Sequence, residues 1–203
     1  MTKDADIRRF GLTWDYRCPY GRIAHDHVVR GLQAGAKWDV TFLPFCLGQA
    51  HVEDGQSDIW DRPQDDSGIY ALQFGVSVRD QQAEKFLGLH AALYDYRHES
   101  HGDLKNEDKI AAIAAKHGVD VAAVNADIAS GRPLAIVKAE HSAYVSTHAV
   151  WGVPTFVVGN SAVFVRLLDR PKSDQEAIAT IDRVLDNVAW DNLNEFKHTS
   201  VPR

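Results

Sequence analysis

Sulfur-containing residues are scarce in this chain of 203 residues, which has two cysteines and one methionine. Two cysteines are too few for a fold held together by disulfides, so Cys18 and Cys46 are either small buried hydrophobic residues or groups with a chemical role. The one methionine is Met1, which excludes a methionine-rich surface for promiscuous binding.

An excess of positive charge is also lacking. The chain has 22 basic and 28 acidic residues, a net charge of −6 and no basic cluster, which argues against binding to nucleic acid or to an anionic membrane surface. The longest stretch without charged residues, His141–Val165, is broken by glycine, proline and polar residues, so we expect no membrane span there. Residues 1–9 contain no apolar run typical of a signal peptide, which predicts a cytoplasmic protein.

The rest of the composition is that of an ordinary globular protein, with 45% hydrophobic and 25% charged residues. Residues 7–15 alternate between apolar and polar side chains and predict a strand. Apolar residues at helical spacing after Ile23 predict a helix that Gly35 ends, and a second strand stops at Pro44. With the usual right-handed crossover, these elements form a parallel βαβ unit.

The middle of the chain is predicted to be mainly helical. Residues 48–76 are acidic, rich in turn signals and not assigned to an element. Helical periodicity begins near residue 79. Capping and terminating residues indicate three further helices: Asn106 to Gly118, Asp120 to Gly131, and Pro133 to Trp151.

The C-terminal part of the chain predicts a hairpin and a helix. Strands over 153–158 and 162–167 flank a turn at Gly159-Asn160. Ser173 and Glu176 form a capping box that begins the last helix, and residues 190–203 are interpreted as a tail.

The order of these elements is βαβ, a helical block and ββα, which is the thioredoxin topology. The predicted fold class is α/β, with a four-stranded mixed sheet and an all-helical insertion after the second strand. The predicted thioredoxin-like domain is residues 1–47 plus 152–203, and residues 48–151 form the insertion.

Cys18 lies between the first strand and the first helix and is followed by Pro19, a residue suited to the first helical turn. The sulfur is therefore placed at a helix N-terminus, where unpaired N–H groups and the helix dipole favour an anion. Because the thiolate is the reactive form of cysteine, we expect a lowered pKa for the Cys18 thiol. Arg17 and Arg22 are candidates for additional support of the thiolate.

A second signal comes from Val153-Pro154-Thr155, at the start of the third strand. Taken alone, Pro154 is an ordinary trans residue on base rates, since few X–Pro bonds are cis. In a thioredoxin topology, however, the loop before the third strand faces the N-terminus of the first helix. The sequence thus predicts that Val153, Pro154 and Thr155 lie beside Cys18, Pro19, Tyr20 and Gly21.

These motifs resemble the DsbA-like branch of the thioredoxin superfamily. That branch includes 2-hydroxychromene-2-carboxylate isomerases, which use glutathione, and actinobacterial proteins linked to mycothiol. The segments that carry the resemblance are Trp14–Gly21, Trp151–Val158 and, for the actinobacterial group, Asn192–Lys197. The resemblance implies that Cys18 is the nucleophile and that Pro19 and Tyr20 tune it. It also implies that Val153, Pro154 and Thr155 form a cis-proline loop that binds a thiol or a peptide.

One departure from the family pattern concerns Gly21, which stands where dithiol oxidoreductases have a second cysteine. Without that cysteine, a mixed disulfide at Cys18 has to be resolved by another thiol. The candidates are glutathione or mycothiol, a protein thiol, and Cys46. Direct action by Cys46 needs a suitable Cα separation from Cys18, and a buried packing role is the stronger interpretation of Cys46.

Ten histidines invite a metal hypothesis, but their spacing predicts no metal site. His25 and His27 are two residues apart and do not share a helix face. The segment from His98 to His101 lacks the spacing of a zinc-protease motif. His90 and Tyr94 are candidates for lining a substrate pocket beneath the insertion.

Three functions fit these observations. The first is a monothiol oxidoreductase in which Cys18 exchanges with a small-molecule thiol or disulfide, or with a protein thiol, and which has no tightly bound cofactor. The second is an isomerase or transferase that holds a small thiol noncovalently, although such relatives commonly have serine at the position of Cys18. The third is a binding module without turnover. An oligomer is compatible with the sequence, which shows no apolar patch that identifies an interface.

Overall fold

The computed structural model describes residues 7–190 and residue 192. Its strands and helices follow one another as β1 (Arg8–Trp14), α1 (Pro19–Gln33), β2 (Trp38–Pro44), α2 (Leu47–Ala50), α3 (Ile69–Gln81), α4 (Ala83–His98), α5 (Glu107–Lys116), α6 (Val121–Ala129), α7 (Arg132–His148), β3 (Thr155–Val158), β4 (Ser161–Phe164) and α8 (Asp174–Val188). Short 3₁₀ turns occupy Ile59–Asp61 and Pro63–Asp65. Within the described residues, no helix has the length and apolar character needed to cross a membrane.

The four strands form one mixed sheet in the order β2-β1-β3-β4. Strands β1 and β2 are parallel, with Arg8 paired to Trp38, whereas β3 is antiparallel to both β1 and β4. Helix α1 connects the two parallel strands, as the right-handed crossover requires. The predicted α/β fold with a four-stranded mixed sheet is confirmed.

Two elements differ from the sequence prediction. Helix α3 begins at Ile69, inside the segment that had no assignment, and most of its residues through Val78 are buried. A helix buried on nearly all sides has no polar face, so its sequence lacks the periodicity by which helices are recognised. Strand β4 ends at Phe164 rather than at residue 167. The predicted tail, and with it the segment Asn192–Lys197, lies outside the described residues except for residues 190 and 192.

The helices between β2 and β3 share their hydrophobic core with the sheet. Trp14 of β1 and Phe42 of β2 are buried, and each lies edge-on to Phe86 of α4, with ring centroids 5.8 and 5.1 Å apart. Burial of aromatic side chains of this size contributes several kcal/mol in total to folding (about 1.5–3 kcal/mol each). The insertion is therefore packed on the sheet. Its boundaries at residues 48 and 151 stay a prediction.

Candidate active site

Cys18 is the N-cap residue of helix α1. Its backbone is extended (φ −83°, ψ 116°), and its sulfur accepts a hydrogen bond from the N–H of Gly21 at 3.2 Å. Pro19 occupies the first helical position, where its missing N–H leaves no donor unpaired. The predicted position of the Cys18 sulfur at a helix N-terminus is therefore what the structure shows.

The loop before β3 lies against this sulfur. The Val153–Pro154 peptide bond is cis, and the Cys18 thiol donates a hydrogen bond to the Val153 carbonyl at 3.2 Å. The Val153 side chain is buried together with Cys18, Phe45 and Val150. Residues that are 135 positions apart in the chain thus form one site, as the topology predicts.

Thr155 anchors this loop to strand β1 through hydrogen bonds. Its N–H donates to the Thr13 hydroxyl at 2.8 Å, and its own hydroxyl donates to the Gly152 carbonyl at 2.8 Å. The Thr13 hydroxyl donates to the same carbonyl at 3.2 Å. Thr155 is buried, and both of its polar groups are used within the protein. It therefore holds the loop on β1, and Val153 is the predicted binding residue that contacts Cys18 directly.

The expectation of a lowered thiol pKa is wrong for the resting protein. Burial raises the pKa of Cys18, and this effect outweighs the N–H groups of Gly21 and Tyr20, which lower it. The negative charge of Asp15 also raises the pKa, whereas the positive charge of Arg166 lowers it. A protonated thiol is what allows the sulfur to donate to Val153.

Arg17 does not support the Cys18 thiolate, which corrects the sequence prediction. Its guanidinium binds Asp15 at 2.6 Å and Asp66 at 2.7 Å, and both carboxylates are buried. Asp15 also accepts from the N–H of Leu47 at 2.9 Å. Arg17 therefore links the end of β1 to the start of the insertion. Its charge is neutralised by the two carboxylates, so it does not stabilise the Cys18 thiolate.

Arg22 is likewise committed to acidic partners. It binds Asp95 at 2.8 Å and Glu99 at 2.5 Å, both at the end of helix α4. The cation that acts on Cys18 is instead Arg166, whose guanidinium lies over the ring of Tyr20 at 4.7 Å from the centroid. Sequence reasoning missed Arg166 because it lies 148 positions after Cys18, beyond β4.

Cys46 is fully buried, and its thiol forms no disulfide. Burial, together with the charges of Asp15 and Asp66, raises its thiol pKa to about 12. The nearest charged donor to its sulfur is Arg17, at 3.9 Å. A thiol that is buried and held protonated is a poor nucleophile, so this environment favours the packing role over the resolving role.

A chain of buried hydrogen bonds lies behind the site, and no sequence pattern indicates it. The Tyr16 hydroxyl is 3.0 Å from Nδ1 of His90, Nε2 of His90 is 2.9 Å from Nδ1 of His25, and Nε2 of His25 is 3.0 Å from the Thr13 carbonyl. The carbonyl can only accept, so His25 donates to it, His90 donates to His25, and Tyr16 donates to His90. This direction requires both histidines to be neutral.

The two histidines are therefore part of the core and do not line a substrate pocket, which corrects the expectation for His90. Burial lowers the pKa of His25 to about 4, and burial together with the charge of His25 lowers the pKa of His90 well below its usual range. Tyr94 is also buried, but its hydroxyl reaches the neighbourhood of Cys18.

One cavity, of about 750 Å³, lies between α1 and residues 170–174 and is lined by Asp26, Arg30 and Arg170, among others. It contains none of the predicted site residues. In the described part of the chain, no group of three histidine, cysteine or acidic side chains is placed to hold a metal ion.

A cysteine that caps the first helix opposite a cis-proline, on this sheet, defines a thiol protein of the thioredoxin class. The family model described as a DSBA-like thioredoxin domain matches residues 13–178. The chain belongs to this family. Among proteins of curated function, none matches the sequence.

Solved structures with the same fold include oxidoreductases and an isomerase. A thioredoxin-like oxidoreductase from Silicibacter pomeroyi DSS-3 is 22% identical, with a TM-score of 0.56 over 88% of this chain and 86% of that chain. DsbA of Pseudomonas aeruginosa is 17% identical, with a TM-score of 0.59 over 90% and 85%. A 2-hydroxychromene-2-carboxylate isomerase is 13% identical, with a TM-score of 0.62 over 87% and 94%. At these identities the likeness concerns the fold.

Proposed function

We propose that the protein is a monothiol thiol-disulfide oxidoreductase that works through Cys18. The observation that carries this proposal is the geometry of the sulfur, which accepts from the Gly21 N–H and touches the carbonyl before cis-Pro154. Gly21 provides no second thiol, so the active centre holds one sulfur. Family membership supports thiol chemistry at this place.

The reaction is a pair of exchanges. The Cys18 thiolate attacks a disulfide R–S–S–R′, the S–S bond breaks, and R′–S⁻ leaves while Cys18–S–S–R forms. A second thiolate, R″–S⁻, then attacks the sulfur of R, which gives R–S–S–R″ and returns the Cys18 thiolate. No electrons are gained or lost overall. During the first step the Val153 backbone aligns the partner, since among the described residues its N–H donates to no protein acceptor.

The second thiol is proposed to be glutathione or mycothiol, with a protein thiol as a further partner. Arg166 is the residue that discriminates between the two small thiols. It is exposed, stands over Tyr20 of the active-site motif and makes no ion pair within the described residues. Glutathione carries carboxylates and mycothiol carries none, so this cation favours glutathione and anionic disulfides in general.

We expect Arg166→Gln to slow the reaction of Cys18 with an anionic aromatic disulfide by about three- to tenfold, because the variant loses an attractive charge near the sulfur. The reaction with the neutral dithiodipyridine should change by less than about twofold. The measurement is the second-order rate constant for each reagent at low salt, and high salt should shrink the difference. Arg183→Gln, which removes an exposed charge from α8, is the matched control. Equal effects of the two substitutions on the anionic reagent would contradict the assignment.

The proposed function is tested by turnover. Appearance of the free peptide thiol from a glutathionylated peptide is followed with free glutathione or mycothiol as the second thiol, which leaves as a disulfide with the glutathionyl group. Cys18→Ser should lose at least about a hundredfold of the catalysed rate, since the step needs a thiolate. Cys46→Ala should retain most of the rate. If Cys18→Ser is as active as the wild type, Cys18 is not the nucleophile and the proposal fails.

A second candidate function is an isomerase or transferase that holds a small thiol noncovalently. It is favoured by the protonated Cys18 thiol, which donates a hydrogen bond in the resting protein. In this case the thiolate of the small thiol adds to an unsaturated substrate, and Cys18 only orients it. Retention of activity in Cys18→Ser favours this candidate, and absence of turnover with any thiol favours a binding module. A cytoplasmic location remains part of the proposal.

A further inference from the structure

One buried polar group near Cys18, the hydroxyl of Tyr94, forms no hydrogen bond with the described residues of the resting protein. Tyr94 of helix α4 is 1% exposed, and its hydroxyl has no hydrogen-bond partner among the described residues. An unpaired buried hydroxyl is costly relative to a paired one, because it has lost its hydrogen bonds to water. Such a cost calls for a reason, because most buried polar atoms are paired.

The hydroxyl of Tyr94 points toward the place of the absent second cysteine. A Cβ atom at position 21 would lie 3.1 Å from this hydroxyl and 3.2 Å from Cβ of Cys18. Glycine at position 21 therefore leaves a gap between the tyrosine and the cysteine that any other residue would fill.

The neighbouring tyrosine shows that this arrangement is specific to Tyr94. The Tyr16 ring lies 5.0 Å from the Tyr94 ring, yet the Tyr16 hydroxyl has an acceptor in His90. The Tyr94 ring also packs on His90, with centroids 5.1 Å apart, but both ring nitrogens of His90 are used. Of these two tyrosines, Tyr94 is therefore the one whose hydroxyl donor remains available to Cys18.

We propose that the Tyr94 hydroxyl donates a hydrogen bond to the Cys18 sulfur once that sulfur is an anion. The inference deepens the proposed function and rests on Cys18 being its nucleophile. In the resting protein the thiol donates to the Val153 carbonyl at 3.2 Å. When the thiol proton passes to solvent, the sulfur anion and the carbonyl oxygen repel each other. The sulfur then turns to the available donors, the Gly21 N–H and the Tyr94 O–H, and the Val153 carbonyl becomes free for the partner.

The electrostatics agree with this geometry. Burial, followed by the charge of Cys18, raises the pKa of Tyr94 well above its usual value. The phenol therefore stays protonated and remains a donor at every pH at which Cys18 reacts. A hydrogen bond to a charged group contributes more than one between neutral groups, so the bond forms mainly in the reactive state.

The test is the pH dependence of Cys18 alkylation by iodoacetamide in Tyr94→Phe. The titration midpoint should rise by about one pH unit, and the rate below the midpoint should fall about tenfold. The free energy of unfolding should stay equal or increase, because phenylalanine keeps the ring and removes an unpaired hydroxyl. Tyr70→Phe, at a half-buried tyrosine of α3, is the control and should change neither quantity.

An unchanged alkylation titration in a stably folded Tyr94→Phe protein would overturn the inference and leave Tyr94 as a packing residue. Alkylation requires no disulfide partner, so the result is independent of the proposed exchange reaction. A shifted titration without turnover on any disulfide would contradict the proposed function alone. Normal turnover with an unshifted titration would contradict the role of Tyr94 alone.

Discussion

The Gly21→Cys variant is expected to form an internal disulfide with Cys18 and to lose the mixed disulfide that we expect for the wild type. Two cysteines joined by a disulfide have Cβ atoms about 3.5–4.5 Å apart, close to the 3.2 Å between a Cβ at position 21 and Cβ of Cys18. The new thiol acts at an effective concentration of about millimolar or above. Resolution should therefore be at least about a hundredfold faster than with external thiol kept near 10 µM. Intact mass after exposure to glutathione disulfide checks this result.

The control for this variant is Gly21→Ala. The alanine methyl meets the same crowding, since a Cβ there is 2.9 Å from Cγ1 of Val153 and 3.1 Å from the Tyr94 hydroxyl. Both variants should lose about 1–3 kcal/mol of stability in the reduced form, because they overpack the site. Only Gly21→Cys should lose two hydrogens on oxidation. A lasting glutathione adduct on Gly21→Cys would contradict the placement of position 21 beside the sulfur.

Acidification from about pH 7.5 to about pH 4.5 is expected to destabilise the fold strongly. The pKa of His25 is about 4 in the folded protein, because burial disfavours its charge, and about 6.5 in an unfolded chain. A lowered histidine pKa gives stability that is complete above about pH 6.5 and is lost as the pH falls toward about 4. His25 alone accounts for about 3 kcal/mol over this window. His90, whose pKa is also lowered, steepens the loss.

The measurement is the free energy of unfolding in urea as a function of pH. In His90→Phe, the aromatic cage is kept but Tyr16 and His25 lose their partner. This variant should be less stable than the wild type near pH 7.5 and should lose less stability on acidification. Replacing the exposed His117 by glutamine is the matched control for the removal of a histidine. Equal slopes for His90→Phe and the wild type would show that this histidine does not bind a proton on unfolding.

The positions of the reactive groups could be predicted from the sequence because their signals are local. Pro19 after Cys18 indicates a helix start, and Pro154 after Val153 indicates the loop that faces it in this topology. The strand and helix order needs only periodicity and caps. Each of these features depends on residues within a few positions of one another, which a sequence displays directly.

The chemistry of the site was harder to predict because it depends on residues from distant segments. Burial of Cys18 comes from Phe45, Val150 and Val153, so the raised pKa could not be anticipated from the helix start alone. Arg17 and Arg22 were expected to support the thiolate, but Asp66, which binds Arg17, lies 49 positions away, and Asp95, which binds Arg22, lies 73 positions away. The buried chain from Tyr16 through His90 likewise exists only when α4 packs on the sheet.

The most direct measurement of the central claim is intact mass combined with a count of free thiols after exposure to glutathione disulfide or mycothiol disulfide, between about pH 6 and pH 9. The account predicts one adduct per chain, located on Cys18, with Cys46 still free. Because the thiol pKa of Cys18 is raised, the rate of adduct formation should grow as the pH rises across this range. The disulfide that reacts faster identifies the small thiol. An internal disulfide between Cys18 and Cys46, an adduct on Cys46, or an unmodified Cys18 at the highest pH would contradict a single-thiol active centre.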